Sequence, residues 1–339
     1  MTLEITRIDP FDTAEVDAWW DAYAAAERAD RGSDIPVWSR EETRNAMQQQ
    51  SQTLERRPLL LRDDGTVVGA AGLALPLKDN THVAHLAVHV PPAHRRRGVG
   101  STALAFLEAE AAEAGRTTAQ GDTSWPYELG SDGKGAPGRE FARRHGYALA
   151  LGDVQNRLAL PLDLEVLDRI DADIAAATRG YSVRSWIGPV PDDVVEGWAI
   201  LDASIDTEAP SGDLDIAPAK PDVESIREQE ELLVRQNRLP IGTVALTPEG
   251  QVAAYTQLVV SGDDGNAYQW GTLVRRADRG HRLGTAVKIA NLRLLQHRAP
   301  HAPAVYTYNA ESNAHMLAVN TLLGFIPTER MGELQKHLA

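Results

Sequence analysis

The sequence predicts an α/β protein with mixed sheets, built as two tandem domains, and three observations predict it. A basic, glycine-bearing turn occurs twice, as Arg95-Arg96-Arg97-Gly98-Val99-Gly100 and as Arg279-Gly280-His281-Arg282-Leu283-Gly284; Arg279 lies 184 residues after Arg95, and Gly284 lies 184 after Gly100. Each turn follows a predicted strand (81–90, largely apolar with β-branched residues, and its counterpart 266–274) and opens a long helix (99–114, apolar-periodic, and 283–297). Each half then ends in a helix closed by glycine and an aromatic residue, Gly146-Tyr147 and Gly324-Phe325. Features recurring in one order mark an internal duplication with drifted loops.

Taken in order, residues 3–8 alternate as a short strand. Asp12-Thr13 supplies an N-cap, so a helix is predicted through Trp19-Trp20 to about Arg28. Ser39-Arg40-Glu41-Glu42 reads as a capping box and opens a second helix to about Gln52. Residues 58–62, the turn Asp63-Asp64-Gly65 and residues 67–77 predict a β-hairpin. The strand 81–90, the basic turn and the helix 99–114 follow, with Gly115 as its C′ residue, then a strand at 117–121. Residues 125–138, rich in glycine, proline and serine, predict a loop; a short helix (139–145) and a strand (154–160) close the half. An acidic amphipathic helix (164–178) ending at Gly180 reads as a connector. The order then restarts: strand 181–186, helices 192–204 and 222–236, hairpin 241–247 and 252–260, strand 266–274, the second turn, helix 283–297, strand 304–308 and helix 313–323. No last strand is placed in the second half.

The chain of 339 residues fits two ordinary domains, and 43% hydrophobic with 24% charged residues describes a globular chain. No apolar run approaches the length needed to cross a bilayer, and Met1-Thr2-Leu3-Glu4 shows no secretory pattern, so a cytoplasmic protein is expected. Cysteine is absent, which removes disulfides, thiolate metal sites and a cysteine nucleophile. Forty-eight acidic against 34 basic residues, net −14, argue against nucleic-acid binding, which needs a positive field. An acidic surface around local basic turns suits an anionic cofactor and a cationic co-substrate.

A strand, a turn and a helix N-terminus together aim backbone N–H groups, beside the positive end of the helix dipole, at one point. Such a turn holds phosphate, and Gly98 and Gly100 let the backbone approach it. The three-glycine dinucleotide fingerprint is met by neither turn, and Gly133-Lys134-Gly135 lacks the spacing of a nucleotide-triphosphate loop.

On these residues both halves resemble the GNAT family of N-acetyltransferases. The family pattern Gln/Arg-x-x-Gly-x-Gly/Ala is met at every position by residues 95–100; residues 279–284 meet it at the first and last positions, with Arg282 where glycine is usual. The resemblance implies two tandem GNAT-like acyl-CoA N-acyltransferase domains, 1–161 and 181–339, joined by the connector 162–180. It implies acetyl-CoA as cofactor and direct acetyl transfer to an amine. The implied cofactor-binding residues are Val88, Val90, Arg95, Arg96, Arg97, Gly98, Val99, Gly100 and Ser101 in the first half. In the second half they are Val274, Arg279, Gly280, His281, Arg282, Leu283, Gly284, Thr285, Asn309 and Asn313, the last for the pantetheine arm.

The family's usual acid, a tyrosine before the last Gly-aromatic pair, is replaced by Asn320 in one half and Ala142 in the other. Its usual carboxylate base is replaced by Tyr268 and Ala84. Tyr268, Tyr308 and Glu311 are therefore the candidate catalytic residues, with Tyr306 beside them. The second half, with its polar loop 206–221, is expected to carry transfer; the first half, with the better turn, is expected to bind CoA as a structural or vestigial site. His82, His85, His89 and His94 cluster near the first turn without a carboxylate or cysteine at ligand spacing, so no metal is expected, and His85 is the first half's candidate base. The partner is a small-molecule amine, not nucleic acid or a membrane, and the chain is expected to be a monomer, with a dimer left open. A catalytically silent CoA-binding scaffold and a protein lysine acetyltransferase remain as alternatives.

Overall fold

The computed structural model describes residues 3–29, 31 and 35–338; Met1 and Thr2, which enter the leader reading, lie outside them. The first half runs β1 (Leu3–Arg7), α1 (Thr13–Arg28), α2 (Arg40–Gln48), β2 (Leu54–Asp63), β3 (Thr66–Pro76), β4 (Val83–His89), α3 (Val99–Glu113), β5 (Thr118–Pro126), α4 (Pro137–Arg144) and β6 (Ala148–Ala159). After α5 (Leu164–Ile174), the connector, the same order repeats. It runs β7 (Ser182–Ile187), α6 (Val195–Glu208), α7 (Val223–Arg235), β8 (Arg238–Leu246), β9 (Val252–Ser261), β10 (Ala267–Val274), α8 (Leu283–Arg298), β11 (Ala304–Ala310), α9 (Ala314–Leu322) and β12 (Ile326–His337).

The local signals form as their chemistry dictates. Asp12 accepts from the backbone N–H of Ala14 at 2.9 Å and of Glu15 at 3.2 Å, capping α1. Ser39 and Glu42 complete the reciprocal box of α2, at 3.1 and 2.9 Å; each such cap contributes about 1 kcal/mol.

The chain divides into two compact units, and neither is a contiguous half. The first comprises Met1–Asp153, Gly212–Ala217 and Glu329–Ala339; the second comprises Val154–Ser211 and Pro218–Thr328. In the first unit the strand order is β1-β2-β3-β4-β5-β12, and β12 pairs antiparallel with β5 from Glu329↔Pro126 to His337↔Thr118. In the second unit β7-β8-β9-β10-β11 is followed by the distal part of β6. The last strand of each half thus completes the other half's sheet. This differs from boundaries at 161 and 181 because periodicity reports that a strand exists, not which edge takes it.

The first unit has a helix layer on each face of its sheet. Val99, Ala103, Leu104, Leu107 and Ala111 of α3 pack on Leu59, Leu61, Leu73, Ala84 and Leu86. On the opposite face, Val16, Trp19 and Tyr23 of α1 pack on Leu60 and Ala70, and the Trp19 indole donates to the Ala71 carbonyl at 2.9 Å. Burying each leucine is worth about 2 kcal/mol. In the second unit α8 lies on β7, β8, β9 and β10, and α5 covers it with Leu167, Ile170 and Ile174. Arg293 of α8 also pairs with Asp168 and Asp171, each at 2.7 Å. The connector is therefore a packed layer of the second unit.

Two predicted loops are shorter than expected. Trp125, placed in the loop 125–138, is 1% exposed, sits on β5 and donates to the Gly130 carbonyl at 2.8 Å. Likewise α6 runs on to Glu208, so the polar loop expected from 206 starts later, and its residues 212–217 belong to the first unit.

Candidate functional site

The two turns share one backbone and exchange their side chains. Arg96 (φ 62°) and Gly98 (φ 86°) hold the left-handed conformation in the first; Gly280 (φ 89°) and Arg282 (φ 56°) hold it at the equivalent positions of the second. A non-glycine residue there costs about 1 kcal/mol, so each turn carries one strained arginine. Where the left-handed residue caps the long helix, the first turn has glycine, and an ideal Cβ built on it meets nothing within 4 Å. The second has the Arg282 side chain at that cap.

In α3 the backbone N–H of Thr102 donates to the Gly98 carbonyl at 3.0 Å, leaving the N–H groups of Val99, Gly100 and Ser101 ahead of that bond. In α8 Thr285 and Ala286 both donate to the Arg282 carbonyl at 3.1 Å, so only Leu283 and Gly284 stand ahead. Gly100 is held close: a Cβ there would lie 3.2 Å from Phe141 and 3.7 Å from Val90. Arg95 donates through Nε to the Val90 carbonyl at 3.0 Å, Arg97 pairs with Asp63 at 2.9 Å, and the Ser101 hydroxyl lies 3.0 Å from His145 Nε2. Val88 packs against the α3-side core. An open glycine cap, three forward N–H groups and three arginines fit a diphosphate.

The second turn is occupied by the protein's own carboxylates. Glu208, in the last turn of α6, sits 3.0 Å from Arg276 and 2.5 Å from Arg279. Asp278 is buried, accepts from the Tyr181 hydroxyl at 2.9 Å and pairs with Arg275. His281 lies 3.3 Å from the Ala177 carbonyl, and its ring packs on Tyr181.

Beside each turn two parallel strands part. Val83, Ala84 and His85 pair with Thr118, Ala119 and Gln120, after which β4 and β5 have no further registered pairs. The second unit repeats this, Ala267, Tyr268 and Gln269 pairing with Val305, Tyr306 and Thr307. Glycines admit the departing end of β4: a Cβ on Gly121 would lie 2.6 Å from the Leu86 carbonyl oxygen, and one on Gly69 2.8 Å from that of His89.

The parting strands of the first unit carry a cluster that sequence reasoning missed. His89 Nδ1 lies 3.2 Å from Glu27 Oε1 of α1. Tyr23 meets the imidazole edge-on with centroids 4.9 Å apart. Arg31 binds Glu27 at 2.7 Å and Glu329 at 2.8 Å. Burial pushes the Glu27 carboxyl up, but the hydrogen bond and charge of His89, with Arg31, outweigh it and hold it below its usual range. Asp122 faces this group from β5; burial, then the charge of Glu27, push its carboxyl up. Yet Asp122 is exposed to solvent. The histidines near the first turn do have carboxylate partners, His82 with Asp215 at 3.1 Å and His89 with Glu27; these lie 133 and 62 residues away, beyond any local spacing. Among the described residues no group of three His, Cys, Asp or Glu could hold a metal ion.

The residues predicted for the second half are dispersed. The Tyr268 hydroxyl donates to Asp264, and its ring stacks on Tyr306 at 6.0 Å and lies under Arg238. The Tyr308 hydroxyl accepts from Gln155. Glu311 lies in the turn after β11, and Asn313 caps α9 by accepting from the Met316 N–H at 3.2 Å. Asn309 accepts from Asn320 at 2.6 Å, and Asn320 in turn accepts from the buried Lys288 at 2.7 Å. These side chains serve internal bonds, and no carboxylate–imidazole pair forms among them.

Comparison with known proteins agrees with this geometry. Residues 16–121 match the acetyltransferase (GNAT) family. Over 100% of this chain and 99% of the other, the structure is similar to a tandem GNAT protein from the clavulanic acid biosynthesis pathway, solved without acetyl-CoA (27% identity, TM-score 0.79). A GCN5-related N-acetyltransferase from Sphaerobacter thermophilus shares the fold at 16% identity, covering 99% and 96% of the two chains, with TM-score 0.65. So does the glucosamine N-acetyltransferase region of a fungal multi-domain GH3 β-N-acetylglucosaminidase, at 17% identity and TM-score 0.64, over 98% of this chain and 38% of that one. No curated protein sequence matches.

Proposed function

We propose that this chain, which matches the GNAT acetyltransferase family over residues 16–121 and is similar along its length to a tandem GNAT protein, transfers an acetyl group from acetyl-CoA to a primary amine of a small molecule, with the cofactor in the first turn. The observation that carries this is the opening between β4 and β5, which leads straight into the glycine-capped N-terminus of α3. The N–H groups of Val99, Gly100 and Ser101, with Arg95, Arg96 and Arg97, would hold the diphosphate. The parted strand ends, with Val88 and Val90, would hold the pantetheine arm. The sequence reading placed transfer in the second half; Glu208 on Arg276 and Arg279 and the internal bonding of Asn309 and Asn320 favour the first unit instead. Among the described residues no helix is long and apolar enough to cross a membrane.

Calorimetry with CoA, followed by thiol release from acetyl-CoA against a panel of amines, tests this. We expect one CoA per chain and turnover with at least one amine. Absence of CoA binding refutes the reading, and binding without turnover on any amine favours a silent scaffold. Acetylated lysines found by mass spectrometry on candidate proteins, with no small amine accepted, would shift the acceptor class to proteins.

A further inference from the structure

We propose that His89, oriented by Glu27, takes the proton from the incoming ammonium of the acceptor in the first unit, and that Asp122 opposite it binds that ammonium before transfer. This rests on the acetyl-transfer reading and assigns its chemistry.

Three observations support it. With Nδ1 turned to the Glu27 carboxylate at 3.2 Å, the imidazole presents Nε2 as an acceptor, and among the described residues no hydrogen bond engages Nε2. Glu27 is itself fixed on its far side by Arg31, which Glu329 of β12 also holds, so the carboxylate has one place to be. This is the arrangement of base and orienting acid that proton transfer requires, with Glu27 as a positioning residue. Next, His89 is the last residue of β4 and stands where the strands have parted, one residue before the chain enters the phosphate turn at Val90. Third, the second unit, which has the same opening, lacks these groups. At the offset of 184 His89 becomes Leu273, and through the matched strand registers Asp122 becomes Asn309.

The titratable and charged groups around His89 are Tyr23 and Glu27 of α1, Arg31 beyond its end, Asp122 of β5, and His85 on the same face of its own strand. Glu329 of β12 reaches it through Arg31. β3 presents only Ala70 opposite it. The site thus holds three carboxylates, Glu27, Asp122 and Glu329, and two imidazoles, His85 and His89, against one arginine, an environment that selects a protonated amine over an acid.

The step balances. An acceptor R–NH3+ gives one proton to His89 Nε2, and the freed lone pair forms the C–N bond to the thioester carbonyl carbon. The C–S bond breaks with its electron pair on sulfur, which takes the second nitrogen proton. The third stays on the amide, and the imidazolium returns its proton to solvent.

The test uses the full chain and the variants His89→Gln, Glu27→Gln and Asp122→Asn. CoA calorimetry first confirms that each keeps the first turn. On an amine that the wild type acetylates, His89→Gln lowers kcat at least 100-fold at pH 7 and recovers toward pH 10, where the amine is already neutral. Glu27→Gln, which loosens the hold on Nδ1, lowers kcat at pH 7 while leaving KM unchanged. Asp122→Asn raises KM more than it lowers kcat. An independent readout is 15N NMR of the histidines in the CoA complex: the His89 ring resonances move in Glu27→Gln, and a protonated amine perturbs His89 in the wild type but not in Asp122→Asn. If His89→Gln keeps the wild-type rate and profile, the inference falls. Should no amine turn over in the wild type, the acetyl-transfer reading falls, and the NMR arm still decides: a His89 resonance indifferent to Glu27 and to amine overturns the inference.

Discussion

Lys288 offers the sharpest quantitative test of how the second unit is held together. It is 2% exposed in α8, donates to Asn320 Oδ1 at 2.7 Å and stands 5.5 Å from the Phe325 ring centroid. Burial lowers its pKa from the usual 10.5 to about 7. Below pH 7 both folded and unfolded chains carry the proton, and the folded chain bears the full desolvation cost. Between pH 7 and 10.5 the unfolded chain binds the proton more tightly, so stability rises with pH and levels off above 10.5. At about 1.4 kcal/mol per unit, the cost of folding with this lysine is about 4–5 kcal/mol at pH 7 and about 1 kcal/mol at pH 9.5. Lys288→Met keeps the volume and removes the charge, while leaving Asn320 Oδ1 unpaired at about 1–3 kcal/mol. The variant is therefore expected to be more stable than the wild type by about 2–3 kcal/mol at pH 7, with that advantage falling by about 3 kcal/mol at pH 9.5. Urea unfolding of both proteins at the two pH values measures it. A difference that is the same at both would refute the assignment of a neutralised buried lysine.

Three further outcomes are expected. Gly98→Ala forces a Cβ into φ 86° without a clash, so it costs only about 1–2 kcal/mol of stability by calorimetric melting, while CoA affinity falls tenfold or more as the methyl enters the cradle. Glu208→Gln weakens the hold on Arg276 and Arg279; titration calorimetry is expected to show CoA stoichiometry rising from one toward two, and a value fixed at one would show that the second turn is closed by more than this carboxylate. Arg31→Met strands the Glu27 and Glu329 carboxylates, whose side chains are 29% and 6% exposed, and should destabilise by about 3 kcal/mol in urea, with Glu329→Gln in the same chain restoring part of the loss.

What the sequence disclosed was what is local. The two turns were legible because arginine and glycine spacing is written within six residues, and the α1 and α2 caps because their donors and acceptors lie within three. The element order of both halves followed from the duplication. What stayed hidden depends on partners distant in the chain. The histidine cluster was visible, but Glu27 lies 62 residues before His89, on a helix whose facing strand no periodicity identifies. Glu208 was read as loop because α6 runs four residues beyond its expected end, and only that extension brings its carboxylate to Arg279. β12 was not placed at all: its sequence Ile-Pro-Thr-Glu-Arg-Met-Gly-Glu-Leu-Gln-Lys-His is polar and broken by proline and glycine, and its pairing with β5 makes it a strand.

That pairing bears on how the protein is made. β5 is synthesised some two hundred residues before the segment that lies along it, so on the ribosome the first sheet waits with a bare edge until β12 has emerged. Severing the chain at the connector would not release two self-sufficient units, since each fragment would leave with the other's closing strand.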